Sequence, residues 1–155
     1  MKFSNKQNIN WNDVEDYLGK YVGELIEIAE TRDIIYIGNK FPDEYGGSSY
    51  TRKTKGARAK AKANAAQGIR EMVEIATDKV YRENHKEKHS EDAHNGWFYY
   101  VTRFAIPLYD NEKKTGEYNV YSACLVVNHA ANGKMYLYDV VDIKKEASNP
   151  LKTIK

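Results

Sequence analysis

The chain has 155 residues, 41% apolar and 30% charged, a formal net charge of +2 and a single cysteine, Cys124. One domain of ordinary size fits that length, a disulfide scaffold is excluded, and nineteen aromatics, thirteen of them tyrosine, exclude disorder. No apolar run nears the roughly 20 residues of a membrane span, and the opening MKFSNKQNIN lacks the hydrophobic stretch of a secretory leader.

In chain order, Trp11 to Glu30 reads as a helix, because Val14, Tyr17, Leu18, Tyr21, Val22, Leu25 and Ile28 recur at spacings of three and four. Asn12 or Asp13 can cap it, and Gly19 and Gly23 weaken it. DIIYI at 33–37 is a short strand stopped by Gly38 and Pro42, and PDEYGGSSYT is expected to be a loop because of its Gly46-Gly47 pair. Residues 56–66 are alanine-rich and helical by propensity, Gln67-Gly68 breaks the helix, and Ile69, Met72, Val73 and Ala76 begin a second one ending near Thr77. Residues 81–95 are polar throughout, a solvated helix or loop.

After Gly96 the pattern becomes that of strands: 97–107, 118–127 and 135–143, linked by turn chemistry at Asp110-Asn111 through Gly116 and at Asn132-Gly133. Helices followed by a hairpin-linked meander give an α+β fold, N-terminal helices packed on an antiparallel sheet of three to four strands. The whole chain, 1–155, reads as a single domain. Within it, 1–50 is a helix-strand accessory portion, 51–95 the helices, 96–146 the sheet and 147–155 a tail.

Strand parity sorts the side chains. Phe98, Phe104 and Ile106 share one face of the first strand; Trp97, Tyr99, Val101 and Arg103 share the other. On the third strand Met135, Leu137, Val141 and Ile143 oppose Tyr136, Tyr138 and Asp142. One sheet face is thus suited to covering by helices, and the second displays a tryptophan, tyrosines and an arginine.

Several residues could carry chemistry. Arg103 can clamp a phosphate beside base-stacking aromatics, or simply stack on Trp97 or Tyr99. His129 closes the middle strand, where it is either an acid/base at the sheet margin or a loop residue bonded to nearby backbone. His89, next to Lys88, can titrate near neutrality, whereas His85 and His94 read as solvated. No metal site is expected, since HKEKH is not HExxH and the cysteine lies far off in a buried strand. Arg58, Lys60 and Lys62 belong to an acid-free basic run from Thr51 to Gln67 that suits a phosphate backbone or a solvated face.

Three stretches carry a resemblance: GARAKAKANAAQGI (56–69), KEKHSEDAHNGWFYYVTRFAIPLYD (86–110) and YNVYSACLVVNHAANGKMYLYDVVDIKKE (118–146). They resemble a domain of large polyvalent and head-associated proteins of phages and conjugative elements of Gram-positive bacteria. The layout is similar to the barnase/EndoU/colicin/RelE-like nuclease fold, and the chain looks like a unit cut from a longer protein.

That resemblance implies metal-independent RNA cleavage by 2′-hydroxyl attack, with no metal or organic cofactor. The residues able to fill its roles are His89 and His129 as acid and base, and Arg103 with Lys88 on the phosphate. Thr102, Tyr99 and Tyr138 would assist or stack, with Trp97, Tyr136, Arg58, Lys60 and Lys62 on the RNA. Parity sets Thr102 opposite Arg103, so at most one of the two serves the reaction unless a bulge intervenes. The expected protein is a ribonuclease-like toxin or effector domain acting on RNA, tRNA included, in bacterial cytoplasm after delivery, with an immunity partner and no membrane. The alternative is a non-catalytic module binding nucleic acid or protein inside a larger phage polypeptide; an inhibitor of host defence is a third reading.

Overall fold

The structure, a computed structural model, describes residues 3, 9–83, 95–146 and 151–152. Helix α1 (Trp11–Leu18) starts where the Asn10 side chain accepts from the Asn12 N–H, and it buries Val14 and Leu18. It ends at Gly19 and a 3₁₀ turn, well short of Glu30. Past Gly23 (φ +94°) the chain extends into β1 (Leu25–Glu27), with Ile26 and Ile28 buried and Leu25 and Glu27 exposed. The apolar residues here satisfy both a helical and an alternating spacing. Pairing with β2 (Ile34–Tyr36) selects the alternating one.

The expected loop after Pro42 is instead two short helices, α2 (Phe41–Gly47) and α3 (Ser49–Lys53). Pro42 pre-sets the first turn of α2, Phe41 and Tyr45 meet edge to face at 5.5 Å one turn apart, and both are buried. The glycine pair falls at the end of α2, and the Ser48 hydroxyl then caps α3 by accepting from the Thr51 N–H. Helix α4 (Gly56–Ala65) and helix α5 (Ile69–Glu74) follow, joined by a 3₁₀ turn at Ala66–Gly68, close to their expected bounds.

The polar stretch expected after residue 81 begins as strand β3 (Thr77–Arg82). Strands β4 (Trp97–Asp110), β5 (Lys113–His129) and β6 (Met135–Lys145) complete an antiparallel meander, β3-β4-β5-β6. It is the centre of a larger, mixed sheet ordered β1-β2-β6-β5-β4-β3, because β2 joins β6 in parallel; β7 (Leu151–Lys152) pairs with the far end of β5. The α+β class therefore stands, while the three-to-four-stranded antiparallel sheet is corrected.

The parity reading of β4 holds. Tyr100, Thr102 and Ile106 point to the helices and are buried, whereas Val101, Arg103 and Ala105 are exposed. On β6 a bulge opposite Val126 and Val127 changes the alternation: Val140 enters the core, and Val141 pairs with Cys124 on the second face. One apolar cluster runs from Val14 to Ile143 and includes Leu18, Ile35, Phe41 and Tyr45, so residues 11–50 share their core with the sheet. No helix among the described residues is long and apolar enough to cross a membrane.

Candidate functional site

The basic run on α4 does not form one phosphate-facing surface. Arg58 is exposed and Lys60 half-buried, but Lys62 is completely buried. Its ammonium donates to Asp139 Oδ1 and to Thr51 Oγ1, each at 2.6 Å, and lies over the rings of Tyr45 and Tyr50. Alanines at 59, 61, 63 and 65, all buried, let α4 sit close enough to the sheet for Lys62 to reach β6. Burial pulls Lys62 below and Asp139 above their ordinary values, and each partner's charge opposes that pull. Lys62 is thus a core residue, and its assignment to RNA is corrected.

Thr102 is likewise buried, its hydroxyl donating to the Met72 carbonyl at 2.6 Å, and so it ties β4 to α5. Arg103 points the other way and is held bidentately by Glu146, at 2.7 and 3.0 Å. It pairs across β5 with Ser122, whereas His129 lies beyond Asn128, the partner of Trp97. Six residues along β4 from Trp97 to Arg103 make roughly 20 Å. His129 turns to the helix-bearing side, against Phe98 (5.4 Å between centroids). Arg103 and His129 therefore share neither an end nor a face of the sheet. Lys88 and His89 lie outside the described residues.

The structure does gather the remaining candidates. Trp97, Tyr99, His129, Tyr136 and Tyr138 all fall at the end of the sheet where β4 and β6 begin and β5 finishes. On the uncovered face there, Trp97 and Tyr138 meet edge to face at 5.0 Å and the Arg82 guanidinium sits 5.5 Å over Tyr99. Val80 and Val101 beside them are about half exposed, at 49% and 45%, so this part of the face is open to solvent.

Round the edge, on the helix-bearing side, Phe98 is the hub. Tyr81 is tilted against it at 5.3 Å, His129 at 5.4 Å, and the Lys79 ammonium lies 4.3 Å over its ring. Lys79 also pairs with Asp33 at 2.9 Å, and Asp33 accepts from the Tyr100 and Thr31 hydroxyls, each at 2.8 Å. Burial works to raise the Asp33 carboxyl. The hydrogen bonds from Lys79, Thr31 and Tyr100 outweigh it, so the group stays below its ordinary value. Gly96 completes the corner: its φ is +98°, and an added Cβ would come within 2.7 Å of the Arg82 carbonyl and the Tyr81 ring.

His129 Nε2 lies 3.2 Å from the Gly133 carbonyl. A carbonyl only accepts, so Nε2 carries the hydrogen and neutral His129 keeps an accepting lone pair on Nδ1. This corner can therefore offer a proton acceptor, an ammonium and a phenol within one patch. Sequence parity pointed to the opposite face through Arg103 and missed Lys79, Tyr81, Asp33 and Tyr100. The missing signal was long-range: Asp33 is 67 residues from Tyr100 and reaches it only because β2 docks beside β6. Among the described residues no group of three or more His, Cys, Asp or Glu side chains is placed to hold a metal ion. No protein family, curated protein or solved structure matches the chain.

Proposed function

We propose that the chain is an RNA-directed domain of a phage or other mobile element, a metal-independent ribonuclease of toxin or effector type, working from the His129 end of its sheet. The observation that carries this reading is the corner around Phe98, where Nε2 of His129 faces the Gly133 carbonyl, no described residue is recorded as bonding Nδ1, and the Lys79 ammonium lies on the same ring. Nδ1 would take the proton of a 2′-hydroxyl while that oxygen attacks the adjacent phosphorus. The P–O5′ bond breaks, leaving a 2′,3′-cyclic phosphate and a 5′-oxygen that must be protonated as it departs. Lys79 would stabilise the charge on the phosphorane, and the Tyr81 hydroxyl is a proton source in the same patch. Trp97, Tyr99 and Tyr138, around the edge, offer ring faces for neighbouring bases. The resemblance to polyvalent-protein domains and to barnase/RelE-like nucleases agrees with this chemistry, and it brings with it delivery into bacterial cytoplasm and a neutralising immunity partner.

The second reading, a non-catalytic binding module, has its own support: Lys79 is already paired with Asp33 and Arg103 with Glu146, which leaves both cations partly neutralised. One experiment separates the two. Incubated with tRNA and total RNA in EDTA, the chain is expected to yield fragments ending in 2′,3′-cyclic phosphate. His129→Ala and Lys79→Ala are each expected to lower the rate about a hundredfold or more, and Arg103→Ala to leave it nearly unchanged. Intact RNA with salt-sensitive retention would replace the enzyme reading with the binding module.

A further inference from the structure

The hairpin of β4 and β5 runs on beyond the core. Its last core side chains are Ile106 and Tyr121, and no residue from Pro107 to Val120 joins the apolar cluster. The turn places Asn111 and Glu112 at positive φ, 47° and 69°, the twist that suits a two-residue hairpin turn. Between this arm and the first half of α4 lies a cleft of about 770 Å³. Its walls are largely aliphatic, with Ala57 and Ala61 on the helix and Ile106, Pro107 and Leu108 on the strand. Of its two rings, Tyr121 is stacked on Phe104 at 5.2 Å, which leaves Tyr109 as the exposed one.

The helix side of the cleft carries cations without counter-ions. Arg52, Lys53, Lys55 and Arg58 are exposed, and the half-buried Lys60 lines the cleft itself. None of these five pairs with a carboxylate of any described residue, and no acid occurs between Thr51 and Gln67. Elsewhere Arg32, Arg70, Lys79 and Arg103 are each matched by a carboxylate. The hairpin tip is balanced, Asp110 and Glu112 against Lys113 and Lys114, so the excess charge beside the cleft is positive.

We propose that this cleft docks an acidic segment of a partner protein. Apolar side chains of the segment sit between α4 and the arm, and its carboxylates face Lys55, Arg58 and Lys60. An aliphatic trough suits leucine-like anchors, whereas single-stranded RNA asks for ring faces, of which the cleft exposes one. The surface lies at the opposite end of β4 from Trp97 and the His129 corner. Docking there is independent of the RNA reading, and both sites can be filled together.

The test is an NMR titration of the nitrogen-15-labelled full chain with three probes. These are a glutamate-leucine peptide of about ten residues, the same peptide with serine for leucine, and an oligouridylate of similar length. The glutamate-leucine peptide is expected to shift amides at 55–61, 106 and 108–112. It should bind about tenfold more tightly than the serine version and weaken as salt is raised. The triple change Lys55→Ser, Arg58→Ser, Lys60→Ser and the single change Leu108→Ser should each cost about tenfold in affinity, with the remaining amides unmoved. A glutamate-leucine peptide that leaves those amides unmoved overturns the proposal. So does equal binding of the two peptides, which is charge attraction without a groove. An oligouridylate that shifts the same amides while the peptides do not also overturns it, and makes the surface a second RNA contact.

Discussion

At the scale of single residues, the two lysines that matter most have opposite roles. Lys79 lies at a solvated margin, where its ammonium bridges Asp33 and the Phe98 ring. Lys62 is sealed between α4, the Tyr45 and Tyr50 rings, and Asp139. A buried pair of this kind adds little over an apolar replacement, but removing one partner strands the other charge out of water. Lys62→Met is therefore expected to destabilise the chain by about 3–5 kcal/mol. The double change Lys62→Met with Asp139→Leu should recover most of that loss in chemical denaturation. If the single variant is as stable as the parent, Lys62 is not the charged core residue described above. Nothing local distinguishes Lys62 from Lys60 or Arg58. Its fate is set by Asp139, 77 residues away, which is why the basic run read as one surface.

At the scale of elements, the β1-β2 hairpin is tied to the centre of the sheet by the Asp33 network, which reaches β3 through Lys79 and β4 through Tyr100. Because these partners hold the folded-state carboxyl below its unfolded value, the network adds stability that is fully present above about pH 4 and lost as pH falls through the folded value. Asp33→Asn should accordingly be less stable than the parent at neutral pH, with the gap in melting temperature closing below about pH 4. A gap that widens in acid would reverse the sign and sink this account of the hairpin. Elements with one strong periodicity were legible from sequence, as for β4 and α5. Where 3.6- and 2-residue spacings coincide, at Leu25 to Ile28, local pattern does not decide, and hydrogen bonding to β2 does. The misread glycine pair after Tyr45 has a similar cause: Phe41 and Tyr45 gain enough from burial to make a helix whose end the glycines merely occupy.

At the scale of the whole molecule, the sheet is two-sided in the way alternation indicated, with helices on one face and aromatics, valines and Arg103 on the other. Alternation places residues on a face but says nothing about which end of a long strand they occupy. Trp97 and Arg103 have the same parity and sit at opposite ends of the aromatic strand's functional stretch, and His129 joins only the former. The meeting point expected from sequence, Arg103 with a histidine, does not form, and a corner assembled from β3, β4, β5 and the turn before β2 is found instead. Half of that corner, His129 and the neighbouring aromatics, could be named from sequence; Lys79, Tyr81 and Asp33 needed the sheet order.

The most direct test of this account is to map a bound RNA on the surface, using a 2′-deoxy-substituted analogue that cannot be cut and NMR of the labelled chain. The account predicts perturbed amides at 79–81, 97–99, 128–129 and 136–138, with Arg103 and Glu146 unmoved. A footprint centred on Arg103 or on the Arg58–Lys60 stretch, with the His129 end silent, would contradict it.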